Sequence, residues 1–299
     1  MRSRPALLAA CGAVAIAFTG VLVRLAAVAP ATAAFWRCVY ALPLLGGLAL
    51  WERHRHGPMA RRALVLATVA GLFFAADLEF WHHSIAAVGA GMSTVVANLQ
   101  VIVVGVVAWV VLGERPSSRV LAAGPLALVG VALIGGVGTK DAYGDDPALG
   151  VLFGLLTAIS YAGFLLVIRE AGRDLRPPAG RMFFATASCA AGIAVVGVPL
   201  GELALEPSWP AHGWLLLLAL SGQVVGYLAI AASLPLLPAV VTSIILLVQP
   251  VLSVLLAAWL VEERPSPSQL GGVALVVAGV VVATTGSRAE RAAGVPAEA

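Results

Sequence analysis

The sequence predicts an all-α integral membrane protein with ten transmembrane helices in two inverted repeats of five. Three observations lead to this prediction. Of the 299 residues, 61% are hydrophobic and 11% are charged, whereas soluble domains carry about 25% charged residues. Residues 207–261 contain no Asp, Glu, Lys or Arg, and a run of this length holds two spans of roughly 20 residues each. Finally, a short motif recurs at a fixed offset in the two halves of the chain.

The ends of the ten spans are marked by charged residues, Pro and Gly between the apolar runs. The first run also resembles a signal peptide, with Ala31-Thr32-Ala33 as a cleavage site, but it is longer than a signal peptide requires, so a retained first helix is favoured. Residues 287–299 are predicted to form a disordered polar tail. The predicted spans are 6–27, 34–51, 63–86, 90–112, 119–138, 149–168, 182–201, 213–233, 238–261 and 268–286.

Positive charge in alternate loops predicts the orientation, because cytoplasmic loops are enriched in Lys and Arg. With the amino terminus inside, the inner loops hold 14 of the 18 Lys and Arg residues, and the outer loops hold only Lys140 and Arg264. Both termini are therefore predicted to be cytoplasmic. The same clustering argues against nucleic acid as a partner. The inner residues are Arg2, Arg4, Arg53, Arg55, Arg61, Arg62, Arg115, Arg119, Arg169, Arg173, Arg176, Arg181, Arg288 and Arg291.

The internal repeat relates residues 1–138 to residues 149–286. GERPSS at 113–118 recurs as EERPSP at 262–267, an offset of 149 residues, and at this offset Gln100 falls on Gln249 and Gly130 on Gly279. Five helices per repeat is an odd number, so the second repeat must be inverted in the membrane. Inverted repeats are typical of transporters, although a duplication retained only for stability would leave the same pattern. The glycines at 124, 130, 272 and 279 are predicted sites of close helix packing.

Four segments carry a resemblance to a known family. They are AFWRCVYALPLL (34–45), DLEFWHHSI (77–85) continuing to GERP (113–116), GVLFGLLTAISYAGFLLVIRE (150–170) and LLVQPVLSVLLAAWLVEERPS (246–266). Together they resemble the drug/metabolite transporter (DMT) superfamily, and within it the EamA-type transporters. The resemblance implies a multi-pass secondary carrier of the inner (plasma) membrane, often an exporter of amino acids, metabolites or cationic drugs, with a cavity between the repeats.

Asp77 is the strongest candidate for a functional carboxylate. It lies about 4 Å from the midpoint of its predicted span, where a charged side chain is unfavourable by roughly 2.5–3.5 kcal/mol on insertion scales. Helical periodicity places Trp81 and Ser84 on the same face. Two roles remain open: Asp77 binds a cationic group or a proton inside a cavity, or it accepts hydrogen bonds that hold helices together.

Glu79 is predicted to pair with an arginine of similar depth, either Arg37 in the second span or Arg24 in the first. Recognition of a substrate by these residues is the alternative. The neighbouring histidines, His82 and His83, diverge by about 100° on a helix and cannot hold one metal ion together. No metal site and no cofactor are predicted.

The symmetry-related Gln100 and Gln249, with Asn98, are candidates for contacts to a polar substrate. Hydrogen bonds that cross-link helices are the equally weighted alternative. Pro250 follows Gln249 and predicts a kink in the ninth span, because proline removes a helical hydrogen bond.

These observations favour a secondary exporter of small organic solutes that works by alternating access. The sequence carries no nucleotide-binding loop, so the predicted energy source is a gradient or facilitated diffusion. The alternatives are an intramembrane enzyme using Asp77 and His82, and a scaffold subunit without transport activity. The predicted partners are a small-molecule substrate and membrane lipid, while protons as coupling ion and a homodimer are left open.

Overall fold

The computed structural model describes residues 3–112, 118–172, 176–233 and 248–285, and these ranges contain helices and loops but no strand. In chain order the helices are α1 (Ser3–Ala17), α2 (Thr19–Ala26), α3 (Pro30–His56), α4 (Arg61–Val88), α5 (Ala90–Ala97), α6 (Gln100–Leu112), α7 (Ser118–Ile134), α8 (Pro147–Ala171), α9 (Ala179–Leu200), α10 (Ala211–Leu218), α11 (Tyr227–Ser233), α12 (Val248–Leu260) and α13 (Pro267–Thr285).

The membrane class predicted from the composition is confirmed. In the part of the chain that the structure describes, six helical stretches are long and apolar enough to cross a membrane, and four shorter apolar helices accompany them. The arrangement as ten spans in two inverted repeats stays a prediction. Residues 113–117, most of the first half of the ninth span and the tail at 287–299 lie outside the described residues. The six stretches are Leu7–Ala26, Pro30–His56, Arg61–Val88, Pro147–Ala171, Ala179–Leu200 and Ala211–Ile230.

Three spans predicted as single helices are interrupted. Span 6–27 divides into α1 and α2 at Phe18, and span 90–112 divides into α5 and α6 at Asn98. The Asn98 side chain donates to the Thr94 carbonyl at 2.8 Å, a local bond that competes with the helical pattern. In span 213–233, residues Ala219–Gly226 form a π-helical segment. Hydropathy predicts the length of an apolar run but not a local change of helix type.

Helix ends follow local backbone chemistry, and several helices extend beyond their predicted spans. Pro30 opens α3, where its fixed φ suits the first turn of a helix. The helix ends at Gly57, with φ of +78°, and α4 ends at Gly89, with φ of +91°. Backbone in this left-handed region favours glycine. α3 thus continues beyond the predicted span 34–51, and its last turn consists of the basic residues 53–56.

α7 and α13 cross at a contact between glycines. A Cβ at Gly130 would lie 2.7 Å from the Gly272 carbonyl oxygen, and one at Gly272 would lie 2.5 Å from that of Gly130. A Cβ at Gly279 would lie 3.2 Å from the Ala123 carbonyl. At the repeat offset of 149 residues, Gly130 corresponds to Gly279 and Ala123 corresponds to Gly272. The contact of Gly130 with Gly272 is therefore equivalent to the contact of Gly279 with Ala123, as a two-fold axis between the repeats would require. A Cβ at Gly124 would meet nothing within 4 Å, so the packing role predicted for Gly124 was wrong.

Candidate functional site

A small cavity of about 70 Å³ lies between helices drawn from both halves of the chain. Side chains of α1–α6 form most of its wall, and α8, α11 and α12 complete it. Its lining residues are Ile16, Thr19, Arg37, Asp77, Leu78, Trp81, Thr94, Ala97, Asn98, Gln100, Thr157, Tyr161, Tyr227 and Gln249. Most of the polar candidates from the sequence therefore share one site.

Asp77 on α4 and Arg37 on α3 bring opposite charges to this cavity. Asp77 is 5% exposed and Arg37 is 2% exposed. None of the ion pairs among the described residues includes Asp77. Arg37 is likewise in none of these ion pairs, and a buried charge outside an ion pair is unfavourable, so an oppositely charged ligand would stabilise each of the two groups.

Arg37 contacts Gln223 and the Trp81 ring. Its Nη2 donates to Gln223 Oε1 at 3.2 Å, and Gln223 Nε2 donates to Thr186 Oγ1 at 3.1 Å. The guanidinium carbon lies 5.8 Å from the centre of the Trp81 ring, within the range of a cation–π contact. Arg37 Nε has no hydrogen-bond partner among the described residues, so a donor remains for a ligand or water.

The three predicted amides, Asn98, Gln100 and Gln249, all line the cavity. The Oε1 atom of Gln100 is buried without a hydrogen-bond partner among the described residues, and buried polar atoms are normally hydrogen-bonded. Pro250 is buried in the first turn of α12 as described. Since residues 234–247 lie outside the described residues, the kink expected at Pro250 stays a prediction.

Ser84 is not among the residues that line the cavity. It shares a helical face with Asp77 but lies two turns further along α4, where its Oγ donates to the Gly150 carbonyl on α8 at 2.7 Å. Its observed contact is therefore one that joins two helices. His82 likewise is absent from the lining, and its Nδ1 lies 2.5 Å from the Leu78 carbonyl oxygen.

The predicted pairing of Glu79 with Arg37 or Arg24 was wrong. Glu79 Oε1 lies 3.1 Å from His83 Nε2, one helical turn away, and Arg24 Nε lies 3.7 Å from Glu263 Oε1. The predicted pairs were based only on similar depth along the spans. Arg37 instead contacts Gln223, and Arg24 contacts Glu263. Although the sequence predicted no metal site, Glu79, His83 and Glu202 bring potential ligand atoms within 4.8 Å of one another.

Glu263 closes the end of the bundle at which α4 ends. Its two carboxylate oxygens accept hydrogen bonds from the backbone N–H of Ala90 at 2.7 Å and of Gly91 at 3.1 Å, at the start of α5. The side chain is 1% exposed. Burial raises the pKa of the Glu263 carboxyl above its ordinary value, while the two N–H donors and Arg24 lower it.

Sequence reasoning missed Gln223, Tyr161, Tyr227 and the helix contact of Glu263. The repeat contains a signal for some of them. At the offset of 149 residues, Tyr227 corresponds to Leu78, beside Asp77, and Thr186 corresponds to Arg37. Projecting the acidic cluster of the first half onto the second half would have identified the region around Tyr227.

Comparisons with known proteins agree with this architecture. The model of the family described as "EamA-like transporter family" matches residues 3–136 and, a second time, residues 148–285. The "Uncharacterized transporter YwfM" of Bacillus subtilis (strain 168) is 28% identical over 262 residues, covering 84% of each chain. A protein crystal structure with 20% sequence identity superposes with a TM-score of 0.63, covering 97% of this chain and 99% of the other. At that identity the structural likeness bears on the fold alone.

The two family matches together span nearly the whole described chain, and they include every residue that lines the cavity. The chain is therefore a member of the EamA-like transporter family, a membrane transporter of the drug/metabolite type.

Proposed function

We propose that this protein is a secondary transporter that carries small zwitterionic solutes, amino acids above all, through the cavity between α3, α4 and α12. The single observation that carries the proposal is the presence of two buried, oppositely charged side chains, Arg37 and Asp77, in the wall of one cavity. An amino acid offers a carboxylate for the guanidinium and an ammonium for the carboxylate. Such a ligand would neutralise both charges at once.

Neutral groups around these charges suit the rest of a small polar solute. Gln100 supplies an amide oxygen without a partner among the described residues, and Trp81, Tyr161 and Tyr227 supply aromatic walls. Binding sites commonly combine apolar walls with a few placed polar groups. Cationic drugs and other metabolites would use the Asp77 side of the same cavity without the contact to Arg37.

The size of the cavity supports a transport cycle with moving helices. Its 70 Å³ is far below the roughly 300–1,000 Å³ of typical small-molecule sites. The helices must therefore separate to admit a solute, and we infer alternating access between two inverted five-helix repeats. The exchange of the Gly130 and Gly279 contacts under the 149-residue shift supports this layout.

We further infer that the chain lies in the inner membrane with both termini in the cytoplasm, and that the direction is export. The concentration of arginine in one set of loops supports the orientation. We also infer proton coupling through Asp77, since the chain carries no recognisable nucleotide site.

The substrate class is tested by counterflow in proteoliposomes. A labelled neutral amino acid should exchange, whereas its analogues lacking the amine or the carboxylate should compete at least tenfold less well. In Asp77→Asn, the analogue lacking the amine should compete as well as the amino acid does. In Arg37→Gln, the analogue lacking the carboxylate should compete as well as the amino acid does. Glu79→Gln is the matched control, because Glu79 lies on the same helix but does not line the cavity. Equal competition by all three compounds would refute the zwitterion proposal.

A further inference from the structure

A second and larger pocket, of about 360 Å³, opens at the opposite end of the bundle from Glu263. It lies between the end of α3, the start of α4 and the start of α9, and the connection Gly57–Met59 forms part of its wall. The positive charge of these loops predicts that this end faces the cytoplasm. The pocket and the cavity that contains Asp77 share no lining residue among those that the structure describes.

The pocket is rich in positive charge. Arg53, His56, Arg176 and Arg181 line it. Arg176 Nη1 donates to the carbonyl oxygens of Gly57 at 3.3 Å and Pro58 at 2.7 Å, and Arg181 Nη2 donates to the Arg176 carbonyl at 3.1 Å. These bonds fix two guanidinium groups at the pocket wall, while Arg53 is exposed.

Among the described residues that line the pocket, the one carboxylate, Glu52, is turned towards a helix terminus. Glu52 Oε1 accepts from the backbone N–H of Ala179 at 2.8 Å, and its Oε2 accepts from that of Gly180 at 2.8 Å. A carboxylate at the start of a helix is stabilised by the exposed N–H groups and the helix dipole. Glu52 therefore neutralises the start of α9, and the exposed Arg53 is a charge that a ligand would meet.

Apolar side chains complete the pocket and connect it with the membrane. Leu50, Phe183 and Phe184 line it, and Leu50 is 58% exposed on the outer face of α3. The next residue, Trp51, is 54% exposed, and its ring lies 5.3 Å from the Arg55 guanidinium. Exposed tryptophans are enriched at the level of the lipid headgroups, so we expect the pocket beside Trp51 to lie near the boundary between headgroups and acyl chains.

We propose that this pocket binds the phosphate-bearing headgroup of an anionic phospholipid, with its acyl chains along the apolar faces of α3 and α9. Basic pockets between transmembrane helices on the cytoplasmic side suit such headgroups. The bound lipid joins α3, α4 and α9 at the end where Glu52 already links two of them. It should therefore stabilise the folded bundle.

The test measures thermal unfolding of the full chain in a mild detergent, independently of transport. Phosphatidylglycerol should raise the melting temperature more than phosphatidylcholine with the same acyl chains. Soluble glycerol 3-phosphate at equal phosphate concentration should have no such effect. Arg53→Gln and Arg181→Gln should each shift the phosphatidylglycerol midpoint about fivefold, as expected for about 1 kcal/mol per cation.

Arg62→Gln is the matched control, because Arg62 lies at the same end of the bundle but pairs with Glu170 at 2.8 Å and does not line the pocket. It should leave the midpoint unchanged. If an arginine variant does not fold, Ala49→Phe fills the pocket with the charges intact and should remove the lipid-specific shift. An equal effect of phosphatidylcholine, reproduction by glycerol 3-phosphate, or an equal loss in Arg62→Gln would overturn the proposal.

Discussion

The Glu263 carboxylate and the backbone N–H of Ala90 are joined by a hydrogen bond of 2.7 Å across 173 residues of sequence. This contact ties the loop between α12 and α13 to the first turn of α5. Since Gly91 donates to the other oxygen, one side chain from the second half of the chain caps a helix in the first half. Any motion that separates α5 from this loop must break both bonds.

Removing this cap should destabilise the folded protein. Glu263→Ala leaves two buried N–H groups without their acceptor, and loss of a helix cap lowers stability by about 0.5–2 kcal/mol. The measurement is thermal unfolding in detergent. Glu262→Ala is the control, because Glu262 is the exposed neighbour and should change stability by less than about 0.5 kcal/mol. Equal effects of the two substitutions would show that the cap contributes nothing specific.

The same carboxyl should make stability depend on pH. Its pKa in the folded protein is raised from 4.5, so the folded state binds this proton more tightly than the unfolded state. Its contribution to stability is therefore complete below pH 4.5 and is lost as the pH rises through the folded-state pKa. Compared with Glu263→Gln, which cannot titrate, the wild type should lose melting temperature across this window. If the melting temperatures of the wild type and of Glu263→Gln change in parallel with pH, the raised pKa of Glu263 is contradicted.

The glycine contact between α7 and α13 predicts a sharp difference between adjacent positions. Gly272→Ala places a methyl group 2.5 Å from the Gly130 carbonyl oxygen, and such overpacking is unfavourable by about 1–3 kcal/mol. Gly271→Ala meets nothing within 4 Å and should be neutral, or stabilising by up to about 1 kcal/mol, because alanine favours helices. Unfolding midpoints of the two variants in detergent decide this. Similar losses in both would place the helix contact elsewhere.

The sequence predicted the class of the protein, and which polar residues share one site, more successfully than the partners of those residues. Composition and hydropathy indicated a helical membrane protein because the lipid environment restricts which residues can form a span. Asp77, Trp81, Asn98, Gln100 and Gln249 all reach the cavity, because polar groups at membrane depth tend to face the interior.

The partners could not be predicted because they depend on the rotation of each helix about its axis. Ser84 and Asp77 share a face by periodicity, yet Ser84 contacts α8. Arg37 and Glu79 have similar depth, yet Arg37 turns to Gln223 in the π-helical segment. Hydropathy reveals neither the π segment nor the break at Asn98. Each changes the rotation of the following residues about the helix axis relative to a continuous α-helix.

Proton coupling through Asp77 should be separable from substrate binding. Asp77 is buried, lines the cavity, and takes part in none of the ion pairs among the described residues. If its carboxyl exchanges a proton for substrate, Asp77→Asn should abolish accumulation driven by a pH gradient and leave substrate counterflow detectable, because counterflow requires no net proton movement.

The measurement is transport in proteoliposomes, with and without an imposed pH gradient, normalised to folded protein. Glu79→Gln should retain gradient-driven accumulation, since Glu79 pairs with His83 away from the cavity. A purely structural Asp77 would instead lower yield and melting temperature while transport per folded molecule and its response to pH stay unchanged. Gradient-driven accumulation at the wild-type level in Asp77→Asn would therefore exclude the coupling role and leave Asp77 as a binding or packing residue.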